Sequence, residues 1–543
     1  MKLNPNHKQL QALVKRRHPL YEAMKPHWDF MELCYEGGRA WFKDNIFQYH
    51  KEGEGEFKNR QKRAYRFNHT REIVDLVTKY LFRAEIARRK DDTDERITQF
   101  WQRATRDGLS IDEFMRVAAT RSSIFGKPWI VVDRSSVGEP AAGSAAGKRS
   151  KRDDQRSETY AYLVDPQDVL DYSMGDDGRL SWVLIREWVR DDNDPLDSTG
   201  NVEPRYRLWT SEGWLLVQHK RGKDGKPLQT IEYVDSGDYD LGEPPVIPAN
   251  NMISNDPWTT PALIADIAYL DRAVTNYLSN LDAIIQDQTF SQLAMPAQGL
   301  LPGDDEYKKL LEMGTKRVFL YDGEGGGAPS YLSPDPRQAH LVLEVVKQII
   351  SEIYHSVGLA GERTKQDNSK GIDNSSGVAK QNDFERVNSL LISKGDAMEL
   401  VENQIVRLVC LWNGVAVPET DLVSYADDFD ARGLFDEFDI SSKLSLIQAP
   451  PQLRGVQMKR IVEKLFPNLS EKLIEELKGS VDEWVKAEEQ AQEALPGTSD
   501  VASAERARLT EEARRDRQGA AEAGANTKAR QVSRTPEGEG KAK

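Results

Sequence analysis

Apolar side chains between Leu341 and Tyr354 recur at three- and four-residue intervals: Leu341, Val342, Val345, Val346, Ile349, Ile350, Ile353 and Tyr354. A polar, glycine-bearing stretch, GLAGERTKQDNSKGIDNSSG, interrupts the pattern from Gly358. A second periodic run follows from Val378, with Phe384, Val387, Leu390, Leu391, Met398, Val401, Ile405, Leu408 and Val409. Both spacings predict helices. A polar connection of this length between two helices is either functional or disordered, because compact domains mostly use short ones.

The rest of the chain is read around that pair. Residues 1–50 read as helical, with Tyr21, Met24, His27, Trp28, Met31 and Cys34 on one face, and 51–66 read as a charged linker. Asn68 or Thr70 is placed to cap a helix whose face carries Ile73, Val74, Leu76, Val77, Tyr80 and Leu81. Further helices are predicted over 93–108 and 110–125, then a β-branched strand over 128–133. Residues 135–156 read as an exposed loop. Strand signals return at 160–164, 180–188, 205–210, 214–219 and 230–234, separated by DDG, DDNDP and KDGKP turns. That order predicts an antiparallel sheet of hairpins in place of an alternating βαβ fold. A helix is predicted from Trp258 to about Asp287. A small unit over 290–335 follows, with a short helix at 305–312 and a strand at 317–321. After Asn413 come extended polar segments, VAVP and VSYADDFD, and short amphipathic helices over 441–493, among them 456–465 and 473–484. The stretch 497–543 has almost no aromatic or branched apolar residue, so burial cannot offset its ordering entropy, and disorder is expected there. The fold class expected is α+β, mostly helical.

Composition narrows the function. Apolar residues make up 38% and charged residues 30%, mean hydropathy is −0.64, and no run reaches the length of a membrane span. The polar, amphipathic start shows no apolar core of a signal peptide. Cys34 and Cys410 are the two cysteines, far apart, so neither a disulfide framework nor a metal-spaced pair is expected, and a reducing compartment is. Net charge is −14. A protein that grips nucleic acid tightly is usually basic; an acidic one can surround DNA if the polymer must slide.

No stretch carries a catalytic signature. GSAAGK (Gly143–Lys148) has three residues between its glycines and Arg149 after the lysine, whereas a P-loop needs four and a Ser or Thr. GEGGGA (Gly323–Ala328) runs into Pro329, Pro334 and Pro336 with no helix opening from it, against a dinucleotide site. His340 and His355 are fifteen apart on one helix, which suits helix-surface residues better than ligands. Asp427, Asp428 and Asp430 lack calcium-loop spacing and read as a solvated turn. No cofactor and no metal are expected. What remains is the polar loop, where Arg363, Lys365 and Lys370 stand among Asn, Ser and Gly. In a single copy it is a solvated connection. Repeated around a ring, it would line a hole with groups that touch phosphates without reading bases.

The order of these parts resembles tailed-bacteriophage portal proteins, the head-to-tail connector family, over roughly residues 20 to 490. The resemblance is carried by FNHTREIVDLVTKYLF (67–82), IFGKPWIVVD (124–133), YLVDPQDVLDY (162–172), PALIADIAYLDRAVTNYLSNLDAIIQDQ (261–288), IYHSVGLAGE (353–362) and SSGVAKQNDFERVNSLL (375–391). It implies a non-enzymatic subunit of a ring, commonly of twelve copies, at one capsid vertex. Double-stranded DNA passes through such a ring during packaging and ejection. The implied fold has long stem helices, an antiparallel β-rich wing, a small α/β clip and a helical crown. The wing would be 1–258 together with 379–440, a long helix returning to it. The stem helices would be 259–290 and 336–358, the clip 291–335, the tunnel loop 359–378 and the crown 441–496, with 497–543 a charged tail beyond the resemblance. Implied partners are the terminase large subunit, head-completion adaptor proteins, major capsid and scaffolding proteins, and no membrane. The implied location is the virion, with host cytoplasm during assembly. Within that picture Glu344, Lys347 and Glu352 are candidates for the channel wall, and Arg363, Lys365 and Lys370 for the loop that meets DNA. Ile267, Leu270, Val274 and Leu278 suit contacts between neighbouring subunits, and equally suit a plain core.

Two other classes fit the same composition. One is a structural adaptor of low oligomeric order with an inert loop. The other is a nuclease with metal held by Asp427, Asp428 and Asp430, or by Asp165, although a two-metal site needs convergent ligands that the spacing does not supply.

Overall fold

The computed structural model describes residues 5–50, 52–90, 93–134, 158–192, 196, 198, 200–221, 227–256, 259–289, 292–296, 305, 318–321, 328, 330–332, 336–359, 377–426, 429, 441–444, 450–465 and 471–493. Helices α1 (His7–Lys15), α2 (Tyr21–Glu36), α3 (Gly38–Asn45), α4 (Glu54–Arg63) and α5 (His69–Leu81) open the chain. The expected linker over 51–66 is therefore mostly helix. Its anchor is Arg60, buried although charged. Its guanidinium donates to both Glu52 carboxylate oxygens at 2.7 Å, to Ser279 Oγ at 3.0 Å and to the Phe47 carbonyl, and it lies 3.8 Å from the Tyr49 ring centroid. Composition alone made the segment look solvated; tertiary contacts to one residue fold it. Asn68 caps α5 by accepting from the Arg71 N–H, while Thr70 turns inward.

Helix α6 (Glu95–Gln102) is shorter than predicted, with Asp94 as its cap. Helix α7 (Ile111–Phe125) starts where predicted, because Ser110 and Glu113 form a reciprocal capping box. It ends at Gly126, φ +81°, where a Cβ would stand 1.9 Å from the Thr260 carbonyl oxygen.

The β region has two sheets. Strand β1 (Ala87–Arg88) stands apart from them. Strands β2 (Trp129–Arg134) and β3 (Thr159–Val164) pair antiparallel, and β9 (Val246–Pro248) joins the other edge of β2. The central strand is fully enclosed at Ile130, Val131 and Val132. Between these come β4 (Val169–Met174), β5 (Leu180–Arg190), β6 (Val202–Thr210), β7 (Gly213–Arg221) and β8 (Pro227–Asp238), a five-stranded antiparallel meander in that order. Its two faces are unlike. Leu184, Leu215 and Val217 pack on α1 residues Leu10 and Val14, while Val183, Ile185 and Trp209 meet Trp129 and Val131 of the other sheet.

Helix α8 (Ile267–Thr289), strands β10 (Gln292–Pro296), β11 (Val318–Tyr321) and β12 (Ser330–Leu332), and helix α9 (Pro336–Ser356) follow. The three strands form a small sheet with β10 central, parallel to β11 and antiparallel to β12. The predicted short helix over 305–312 lies almost wholly outside the described residues. Helix α10 (Gly377–Asn413) is 37 residues long, and β13 (Val423–Ser424) after it pairs with β1. One core unites α5 to α10 around Ile73, Val77, Phe114, Met115, Ile353, Met398 and Ile405. The fold is mixed α/β, with antiparallel pairing except between β10 and β11, which agrees with the α+β reading; helix makes up about half of the described residues, less than the mostly helical content expected.

The last two described helices belong to a second compact unit. Its helices α11 (Pro451–Leu465) and α12 (Glu471–Glu493) pack antiparallel. Gly455 lets Val485 approach within 2.5 Å of where a Cβ would be, and Lys459 pairs with Asp482 at 2.7 Å.

Candidate functional site

Helices α8 and α9 pack against each other along their length. Thr70 Oγ1 donates to Asp271 near the start of α8, while its neighbour His69 meets the Tyr354 hydroxyl near the end of α9 at 3.3 Å. The two helices therefore run antiparallel, with the small β10–β12 sheet joining their far ends. Their facing surfaces are apolar: Ile267, Val274 and Leu278 from α8 share a core with Val346, Ile350, Ile353 and Val357. Ile267, Val274 and Leu278 are the candidates for contacts between neighbouring subunits or for a plain core. They are enclosed within one chain, and Leu270 is half-buried against the same core.

Charge is buried in this pair as well. Asp271 falls on the apolar stripe of α8, four residues from Ile267 and three from Val274, and is completely enclosed. Arg66 donates to it through Nε at 3.1 Å and through Nη2, and stacks on the Trp41 ring. On α10, Glu402 is likewise enclosed, receiving Arg88 Nε at 2.6 Å and the Tyr425 hydroxyl at 2.9 Å. Desolvation still holds the Glu402 carboxyl above the ordinary range against the pull of Arg88.

The opposite face of α9 is wet. Glu344, Lys347 and Glu352 are all exposed, with Gln348, Ser351 and His355 exposed beside them. Glu344 and Glu352, eight residues apart, share one stripe of the helix. His340 is also exposed on α9. Exposed large apolar residues stand on α8 at Tyr277 and Ile285, 37% and 48% accessible.

Where α9 ends, the chain passes α10 at close range. Gly358 has φ +73°, and a Cβ there would lie 3.2 Å from the Arg386 Cβ. Beside this crossing is a cleft of about 650 Å³, lined by the end of α9, by α10 and by Asn251, Met252 and Leu263. Lys394 lies in its wall, fully enclosed, with its ammonium donating to Ser122 Oγ at 2.8 Å and Asn251 Oδ1 at 2.6 Å. Burial pushes its pKa down to about 7. Arg386 Nη1 lies 3.2 Å from His355 Nε2 at the mouth. Arg363, Lys365 and Lys370 lie outside the described residues, as do Asp427, Asp428 and Asp430. Asp165 is placed 3.8 Å from Arg121, which also pairs with Glu32 at 3.3 Å; burial raises both carboxyls.

Sequence reasoning passed over Lys394, Asp271 and Glu402. Each had a legible signal: a charged residue standing where the helical period demands an apolar one.

No family model matches the chain, and no curated protein does. Among solved structures it is similar to a chain of the virion of a native gene transfer agent particle, with TM-score 0.38 and 9% identity over 82% of this chain and 95% of that one. It is also similar to a chain of the neck of an empty gene transfer agent particle computed with C6 symmetry, with TM-score 0.38 and 12% identity over 70% of this chain and 85% of that one.

Proposed function

We propose that the chain is a portal-type subunit, one copy of a closed ring through which double-stranded DNA moves into and out of a phage-like capsid. The observation that carries this reading is the α8–α9 hairpin. Two long antiparallel helices bury one face in the subunit, carry a small sheet at their far end, and leave an acidic stripe, Glu344 and Glu352, facing water. Repeated around an axis, that stripe repels phosphates at short range, so DNA is not trapped on the wall. Lys347 tempers the repulsion. Arg363, Lys365 and Lys370 supply weak, sequence-independent phosphate contacts.

Closing the ring needs heterologous contacts between unlike surfaces. With Ile267, Val274 and Leu278 inside the subunit, that role passes to the exposed Tyr277 and Ile285 on the outer side of α8. The β10–β12 sheet is the docking surface for the terminase large subunit and the head-completion proteins, and α11 with α12 is the crown. The ring resides in the virion and turns over no substrate.

Topology separates this reading from any surface-binding adaptor. A pre-assembled ring threads a linear duplex through its ends and cannot load onto a covalently closed circle of the same sequence. Linear DNA retained once both of its ends are blocked after threading, the closed circle not retained and neither cut with magnesium present is the expected result. Equal retention of both forms contradicts a channel, and magnesium-dependent cleavage favours the nuclease.

A further inference from the structure

We infer that the cleft between the end of α9 and the middle of α10 is a binding site for a phosphate group, with Lys394 and Arg386 as its cationic contacts. None of the described lining residues is acidic, whereas Lys394, Arg386 and His355 are basic and Ser356, Ser389 and Ser393 carry hydroxyls. In a chain of net charge −14, a concavity without a carboxylate is a local reversal of sign.

Lys394 is the strongest of these observations. A buried ammonium is normally paired with a carboxylate, since desolvating a lone charge is costly. Here its two hydrogen-bond partners, Ser122 Oγ and Asn251 Oδ1, are neutral. An ammonium has three donors, so one remains beyond these two. The cost of keeping the charge is visible in the depressed pKa, about 7, and an anion in the cleft would relieve it. Arg386, exposed at the mouth, adds the planar fork suited to phosphate oxygens. The cleft's volume of about 650 Å³ exceeds what a single phosphate needs, so the group can belong to a larger molecule. The site stands on these residues whether or not the subunits form a ring. The ring reading adds only a source, the DNA backbone.

The groups around Lys394 make the pH dependence explicit. Helix α7 contributes Ser122, and Asn251 lies beside it, both uncharged; α9 contributes His355 and α10 contributes Arg386. A phosphodiester, whose single negative charge is the same at both values, should bind more tightly near pH 6, where Lys394 is charged, than near pH 8.5, where it is neutral.

The test is calorimetric titration of the full chain with dimethyl phosphate, a phosphodiester of fixed charge, at both pH values, repeated with Lys394→Met, Arg386→Gln and His355→Gln. Expected are tighter binding at the lower pH, at least a tenfold loss in each of the Lys394 and Arg386 variants, and retained pH dependence in His355→Gln. Arg386→Gln changes an exposed position and keeps the test valid if Lys394→Met fails to fold. A short duplex that competes with dimethyl phosphate assigns the group to nucleic acid; binding of dimethyl phosphate without such competition assigns it to a small phosphate ester. No binding of dimethyl phosphate by the unaltered chain, or equal binding by the unaltered chain and Arg386→Gln, overturns the site.

Discussion

Asp271 and Arg66 are tolerable inside the molecule because their opposite charges pair: Arg66 and Thr70 both donate to Asp271 Oδ2, Trp41 supports the guanidinium, and Asp271 Oδ1 is left buried without a hydrogen-bond partner among the described residues. Removing one partner strands a charge in the core, which costs about 3–5 kcal/mol. Asp271→Ala should lower unfolding stability by that amount in urea titrations, and more than a double variant replacing Arg66 and Asp271 by Met and Leu. A smaller loss in the single variant than in the double would contradict the pairing. Lys394 gives a pH signature. Its folded pKa, about 7, lies below the ordinary lysine value, so between the two the unfolded chain holds the extra proton. Stability from this group therefore rises with pH through that window and is level below it. Lys394→Met should flatten the difference in unfolding free energy between about pH 7 and about pH 9.5; an unchanged difference would contradict the assignment. These residues were readable as exceptions to a period, but which partner each finds depends on segments hundreds of positions away. Arg88 and Glu402 meet across 314 positions, and no local pattern encodes such a meeting.

Elements were legible where local rules agree. Helix α7 has its capping box at Ser110 and Glu113 and its glycine stop at Gly126, and the sequence places both ends within a residue. Ser110→Ala should cost about 1 kcal/mol. Gly126→Ala should cost more than that, because the residue needs positive φ and its Cβ would meet the Thr260 carbonyl. Chemical denaturation checks both, and a cost for Gly126→Ala below that for Ser110→Ala would contradict the close approach. Helix α4 was misread because its burial rests on Arg60, which composition scores as solvent-loving. Strands β4 and β9 were passed over because a single 3₁₀ turn at Pro166–Asp168 and a proline-rich approach at 244–248 hide short strands. Helix α8 begins well after the predicted start at Trp258, since residues 263–266 form turns, with the Ile264 N–H donating to the Ser123 carbonyl of α7, before the regular helix sets in.

At the scale of the whole molecule, the long helices and the antiparallel β region follow from periodicity alone, while the role of each helix face does not. Periodicity marks Ile267, Val274 and Leu278 as apolar. Only the packing of α8 on α9 tells that they serve the subunit's own core and leave Tyr277 and Ile285 outside. The acidic stripe of α9 carries the channel argument. Glu344→Gln combined with Glu352→Gln should leave particle mass unchanged and raise retention of linear duplex several-fold at low salt, with the difference fading as the Debye length falls below about 10 Å. Equal retention with normal assembly would remove these residues from the wall.

Ring assembly is the claim on which the functional account rests, and light-scattering mass on the purified full-length chain, with negative-stain images of the same peak, tests it most directly. The account predicts a particle of about a dozen 61.5 kDa subunits with annular end views. A monomer or dimer at every protein concentration and salt would contradict it.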